Sequence, residues 1–399
     1  MVKIFPFRPY VPNRPAEFCT NPYDVIEADE EKELKKNPNS LVHMILPDGE
    51  GEAKYTRAAA ELARFKNHNL IRRLDKPGIF LYRQESPAFS QQGFILTVSL
   101  QDYEVNRVVK HEKTREKPLQ DRTKHISAIH LAPGLVWTVY KANAQLTELQ
   151  NAITKKAPLF TFPEYGYTNT VWYETDPAII SKAQAIMDPL LLYIADGHHR
   201  AASAAQYRKN KIANKEGGET GPEPWQNLLI YAASDDQVRI LPYNRVIRKL
   251  PMTQTDFLTK IGADFSVKKQ SRAFNPHQKH QIAMCLKDGW YLLEPKQTAG
   301  LSPVDALDVS ILQQKLLDPI LGIKDPRSDE NIFFVGGVQD PKKMEEFIVK
   351  EGNAIFFNLV PVDIRDLEAI ADQGGVMPPK STWFDPKLLS GMTMYPLNE

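Results

Sequence analysis

The sequence predicts a mixed α/β (α+β) fold, and three observations carry that reading. Apolar, β-prone runs alternate along the chain with helix-forming segments. The 399 residues are 42% hydrophobic and 25% charged, enough to bury a large core in two or three domains. One stretch, LLLYIADGHHRAASAAQYRKN at 190–210, joins a strand directly to a helix. Residues 190–195 form an apolar run, whereas Ala201, Ala202, Ala204 and Ala205 are strong helix formers, so Asp196 to Arg200 make a strand-to-helix corner.

The other elements follow in chain order. After a proline- and aromatic-rich start, TNPYDVIEADEEKELKKNPNS reads as an extended arm leading into a charged helix, and YTRAAAELARFKNHNLI as a second helix. Residues 78–84 and 93–100 are strands separated by a polar hairpin loop, ESPAFSQQ. The charged block HEKTREKPLQDRTKHISAIHLAPG precedes a strand at 135–141, a helix at 147–155, a strand in TNTVWYETD and the helix that leads to the corner. Residues 214–225 are a Gly-, Pro- and Glu-rich loop. Two strands flank a turn at 234–236, and residues 256–279 mix helix and loop. A hairpin turns at Asp288-Gly289, and helices follow at 309–317 and 341–350. Boundaries are placed to give regions 1–132, 133–250 and 251–399.

Composition excludes several functions. A net charge of +1, with no long basic block and no helix-turn-helix pattern, argues against nucleic-acid binding. Cys19 and Cys285 are too few and too far apart for a disulfide framework or a cysteine zinc site, which fits a reducing cytoplasm. No apolar run approaches a membrane span, and MVKIFPFRPYVPN lacks the apolar core of a signal peptide, so a cytoplasmic protein without a membrane partner is expected.

The corner is the densest chemistry in the chain. A helix N-terminus presents unpaired N–H groups and the positive end of the helix dipole, which favour an anion. Gly197 offers no Cβ to obstruct close approach, and His198, His199 and Arg200 add donors at the same point. Basic residues in a first turn oppose the dipole and need another reason to be there. As an exposed loop-end side chain, Arg200 is expected to bind phosphate while contributing little to the core. A histidine metal site ranks lower, because adjacent histidines point differently and the i, i+4 pair of a zinc protease is missing.

Three further clusters gather ionisable side chains. HEKTREKPLQDR holds His111, Glu112, Lys113, Thr114, Asp121 and Arg122; taken alone, it reads as a solvated charged loop. In MPPKSTWFDPKLLSG two prolines stiffen the approach to Lys380, Ser381 and Thr382 without the glycine spacing of a P-loop. NPYDVI presents Asp24 at the end of the arm.

The order of PYDVI, HEKT with a later DR, YIADGHHRAASA, LDVSIL and PPKSTWFDPKL resembles a bacterial and archaeal family catalogued as domain of unknown function ten-fifteen, across nearly the whole chain. In LPYNRVI, Asn244 stands where that pattern leads one to expect a histidine, so no base role is assigned there. The strand, DGHHR and alanine-rich helix also resemble the phosphate-handling loop of the ParB and sulfiredoxin superfamily, which includes free serine kinases. This second resemblance implies a central ParB/sulfiredoxin-like strand–loop–helix core with additional N- and C-terminal α/β regions. It also implies that Asp196, Gly197, His198, His199 and Arg200 cradle nucleotide phosphates.

The implied chemistry is phosphoryl transfer, which needs positioned phosphates, charge neutralisation, often a metal ion, and a group that orients or deprotonates the acceptor. Phosphate binding falls to Gly197, His198, His199, Arg200, Arg122, Lys380, Ser381 and Thr382. Glu112, Asp196 and His198 are the catalytic candidates, Asp196 also for Mg²⁺, and Asp24, His111 and Thr114 the substrate-binding ones. The expected ligands are ATP or ADP with Mg²⁺ and a small hydroxyl or phosphorylated metabolite, serine first. HEKT, DGHHR and PPKST are expected to line one pocket. A phosphatase or nucleotidase acting on a small phosphoester such as phosphoserine, and a non-enzymatic nucleotide-binding switch, draw on the same inventory.

Overall fold

In the computed structural model, which describes residues 2–112 and 114–399, the chain divides into two units: Met1–Val238 with Pro386–Glu399, and Arg239–Asp385. The division departs from the boundaries at 132 and 250. Strands from both sides of residue 132 pair in one sheet, so the backbone hydrogen bonds that complete that sheet tie the two halves together.

The first unit is built on a nine-stranded mixed sheet. Its strands run in the order Val108–Val109, Leu192–Asp196, Val136–Tyr140, Asn227–Ser234, Ser90–Ser99, Ile79–Glu85, Tyr167–Glu174 and Phe160–Glu164, with Ile4–Phe5 also paired to Ser90–Ser99. One face carries Val136, Tyr140, Ile194, Leu228, Ile230 and Ala232 into a core shared with Leu146, Leu149, Ile180 and Met187 of two helices, Ala144–Ile153 and Pro177–Met187. Both helices begin at side-chain caps, Asn143 and Asp176, which satisfy first-turn N–H groups that have no intrahelical partner.

The opposite face is aromatic and polar. Trp137, Tyr231 and Tyr82 stack edge to face at centroid distances of 5.9 Å, and Gly93 lies beneath the Tyr231 ring. A Cβ at Gly93 would sit 2.5 Å from Tyr231 Cζ and 2.6 Å from the Ala232 carbonyl, which is why this strand position tolerates no side chain. Gln84 and Gln91 are buried at the end of the same face and hydrogen-bond to each other at 2.7 Å. They leave a hairpin turn of only residues 86–89, since Glu85 pairs with Ser90, in place of the eight-residue polar loop expected.

The charged block after His111 is a helix, Glu116–Ile129, rather than a loop, with Thr123, His125 and Ile129 buried. Charges at the other positions disguised a narrow buried stripe. In the second unit a six-stranded antiparallel sheet runs Phe265–Gln270, Gly289–Pro295, Ile282–Leu286, Ile355–Asn358, Tyr243–Ile247 and Ile332–Gly336. Its hairpin turns one residue earlier than expected, at Lys287-Asp288, because Leu286 pairs with Gly289. Asn244 is fully buried and its Oδ1 accepts from the Leu359 N–H at 3.0 Å, a structural role.

Candidate functional site

The corner begins with a bulge. Ile194 pairs with Thr138 but Asp196 pairs with Trp137, so two steps on one strand match one on the other. Without the extra residue Asp196 would share the face of Ile194 and enter the apolar core; the bulge turns it to the face of Trp137. The next residue, Gly197, has φ +93° and caps the helix His198–Ala213 with no side-chain cap. The first intrahelical bond runs from Ala201 N–H to Gly197 O at 3.0 Å, so the N–H groups of His198, His199 and Arg200 precede the helical ladder.

Four segments of the first unit meet around this corner. From the corner itself, Arg200 donates to Asp196 Oδ2 at 2.7 Å and to the Leu135 carbonyl. From NPYD, Asp24 Oδ2 lies 3.8 Å from the same Arg200 nitrogen. From HEKT, Glu112 Oε2 lies 3.5 Å from His198 Nδ1, and the His111 ring meets the His198 ring edge to face at 4.5 Å. From the C-terminal segment, Lys387 Nζ lies 3.5 Å from Asp196 Oδ1. Arg122 stacks on Tyr23 at 4.4 Å, pairs with Asp121 and donates to the Ile45 carbonyl at 3.2 Å. Arg122, Tyr23 and Arg200 line a cavity of about 60 Å³, too small for a whole nucleotide.

Arg200 is not the exposed loop-end residue expected. Its side chain is 12% exposed, and although burial opposes the charge, Asp24 and Asp196 hold its pKa above the usual value. Asp196 shows the mirror image: burial would raise its pKa, but Lys387 and Arg200 hold it well below the carboxylate range. Burial also pulls His198 down to about 4 and His111 well below 6.5, so both rings are neutral near pH 7. His198 Nε2 and His111 Nδ1 are buried without a hydrogen-bond partner among the described residues. His199 is half-buried on the first turn, and Thr114 is half-buried two residues ahead of the Glu116–Ile129 helix. Lys113 lies outside the described residues.

A Mg²⁺ ion held by Asp196 does not fit this arrangement. Both carboxylate oxygens face cations, and among the described residues no group of three or more His, Cys, Asp or Glu side chains is placed to hold a metal. The start of the helix, Gly197 and the two guanidinium groups of Arg122 and Arg200 are features that suit an anion.

The family model described as Protein of unknown function (DUF1015) matches residues 4–310. The chain belongs to that family. No curated protein matches it. Among solved structures, this DUF1015 protein is similar to SbnI with a C-terminal truncation from Staphylococcus aureus, at TM-score 0.40 and 11% identity over 76% of this chain and 87% of that one. It is similar to a free serine kinase in complex with AMP, at TM-score 0.38 and 11% identity over 76% and 91%. A conserved hypothetical protein from Pyrococcus furiosus matches at TM-score 0.33 and 12% identity over 73% and 90%. No helix among the described residues is long and apolar enough to cross a membrane.

Of the residues that sequence reading placed at the site of this DUF1015 chain, Asp24, His111, Glu112, Asp196, Gly197, His198, Arg200 and Arg122 gather in the first unit as described. Lys380, Ser381 and Thr382 belong to the second unit. There Lys380 Nζ hydrogen-bonds Tyr243 Oη at 2.9 Å, Ser381 is buried and donates to the Pro378 carbonyl at 2.6 Å, and Thr382 is half-buried. Sequence reading missed Lys387, seven positions beyond Lys380 in the same motif. Gln84 donates to the Lys387 carbonyl at 3.1 Å and Gln91 to the Pro386 carbonyl at 3.3 Å, so two buried strand amides anchor the backbone that aims this lysine. A polar pair at strand positions otherwise filled by apolar residues was the available signal.

Proposed function

We propose that this protein is a nucleotide-dependent small-molecule phosphotransferase whose phosphates bind at the start of the His198–Ala213 helix. What carries this reading is the meeting of Asp24, Glu112 and Lys387 at an uncapped helix N-terminus that already holds Arg200. The amides of His198 and His199 and the Arg200 side chain hold the phosphate, with Arg122 lending charge from the cavity beside it. Lys387 and Asp196 fix each other and the corner. Glu112, whose side chain is 36% exposed, is the base: it accepts the acceptor hydroxyl proton as the new O–P bond forms and the bond to the departing nucleoside diphosphate breaks. His198, neutral and buried, positions that carboxylate through Nδ1. Asp24, His111 and Thr114 are the substrate contacts, and a hydroxy-metabolite such as serine is the acceptor to try first.

The test incubates the protein with ATP, magnesium and a pool of hydroxy-metabolites and searches for a phosphorylated acceptor by mass spectrometry. Glu112→Gln is expected to lower turnover by roughly 10²-fold or more while calorimetry still registers nucleotide binding. Release of phosphate from supplied phosphoesters, with no acceptor phosphorylated, identifies a phosphatase instead. Nucleotide binding with neither activity identifies a switch and refutes the enzyme.

A further inference from the structure

The second unit contains a buried cation with no anion beside it among the described residues. Arg245, in the strand Tyr243–Ile247, is only 4% exposed. Its guanidinium donates to the Tyr243 carbonyl and, at 3.0 Å, to the Lys380 carbonyl. Among the described residues it forms no ion pair; the nearby ribbon has its own balanced pair, Arg239 with Asp385. Arginine is almost never fully buried unless paired, because two carbonyl dipoles do not replace the hydration that a full charge loses. Burial with no carboxylate to oppose it pulls this guanidinium down to about 9, the reverse of Arg200.

A second cation stands in the same cluster. Lys380 is exposed, with φ +58°, in a turn fastened by Ser381 Oγ on the Pro378 carbonyl and by Arg245 on its own carbonyl. A non-glycine residue in the left-handed region carries strain that persists only where its surroundings hold it. The two cations bracket aromatic rings. Arg245 Cζ lies 5.4 Å from the Phe334 ring centre and Lys380 Nζ 5.0 Å from that of Tyr243, which in turn meets Trp383 at 5.2 Å and Phe334 at 6.0 Å. Tyr243, Phe334 and Trp383 are all half-buried.

We propose that Arg245 and Lys380 form an oxyanion site that takes a phosphoryl group beside the Tyr243, Phe334 and Trp383 rings. The phosphoryl oxygens supply the missing counter-charge, and the rings offer a flat face to anything attached to it. Free phosphate and the phosphate tail of a nucleotide share that chemistry. Every residue involved belongs to the second unit, so the inference does not depend on the reading of the DGHHR corner.

The experiment follows the Trp383 indole N–H signal of the full chain by NMR, assigned by its loss in Trp383→Phe. Inorganic phosphate, tripolyphosphate and ATP are titrated in turn, with sodium chloride at matched ionic strength as control. A saturable shift absent from the chloride control is expected, and Lys380→Ala should weaken it roughly tenfold or more, the effect of one charge-assisted hydrogen bond. ATP binding more tightly than tripolyphosphate marks a nucleotide site, and equal affinities mark a phosphate site; both support the proposal. No saturable shift, or unchanged affinity in Lys380→Ala, overturns it. Arg245→Gln tests the buried partner, and if that variant does not fold, the exposed Lys380 still decides. Glu112→Gln should leave the Trp383 shift in place even where phosphotransfer is lost, so the two readings fail separately.

Discussion

Two regions of this protein place arginines out of water, and they balance the charge differently. At the DGHHR corner Arg200 faces two carboxylates, Asp196 and Asp24, and Asp196 also faces Lys387. At the PPKST turn Arg245 donates to two carbonyl oxygens and lies over the Phe334 ring, with no carboxylate paired to it among the described residues. A network whose charges are matched internally holds its geometry without a ligand and can bind and release one cheaply, which suits turnover. An unmatched buried charge is itself a reason for an anion to bind.

The largest expected effect tests that contrast directly. Arg200→Met leaves Asp196 and Asp24 without their shared partner and should cost about 3 kcal/mol in urea unfolding. Arg245→Met removes a charge that had no counter-ion, and should cost clearly less. Equal losses would erase the distinction between the two regions.

The pH dependence of the first unit should be of the same order. His198 and His125 are both held near 4 by burial, so each is neutral in the folded protein and takes up a proton on unfolding below its ordinary value of about 6.5. The unfolded chain then binds more protons, and stability must fall as pH drops from about 6.5 toward 4, on the order of 1 kcal/mol per pH unit for each histidine. Asp196, with its lowered pKa, has the same sign in a lower window: its contribution is present above about pH 4 and is lost as pH falls further. Unfolding curves at pH 7, 5.5 and 4.5 measure the histidine part; His111 adds to it with the same sign, so His125→Gln should remove about a third.

A smaller loss is expected from Gly197→Ala. The residue has φ +93° and its added Cβ would stand 3.0 Å from Arg200 Cζ, so about 1–2 kcal/mol of strain and a displaced guanidinium should follow. Phosphate affinity measured alongside stability shows whether the corner geometry or only the fold has suffered. At the other end of the scale, Lys380→Ala should hardly move the unfolding midpoint, since an exposed side chain contributes little to stability. A large shift there would mean the PPKST turn is a structural clamp with no ligand to hold.

Local chemistry determined much of this. The apolar run before Asp196, the alanines after Arg200 and the glycine between them dictated a strand, a turn and a helix, because strand and helix propensities and the freedom of glycine act over a few residues. The same local signals marked Asp24, Glu112 and Arg122 as chemically dense positions. Tertiary structure decided what those positions face. It turned Asp196 out of the core with a one-residue bulge, and it made the charged block after His111 a half-buried helix. It brought Lys387 to Asp196 by fastening a C-terminal backbone onto two buried glutamines. Burial and pairing depend on residues hundreds of positions apart, so whether an arginine is matched like Arg200 or unmatched like Arg245 is written in the packing and not in the neighbouring letters.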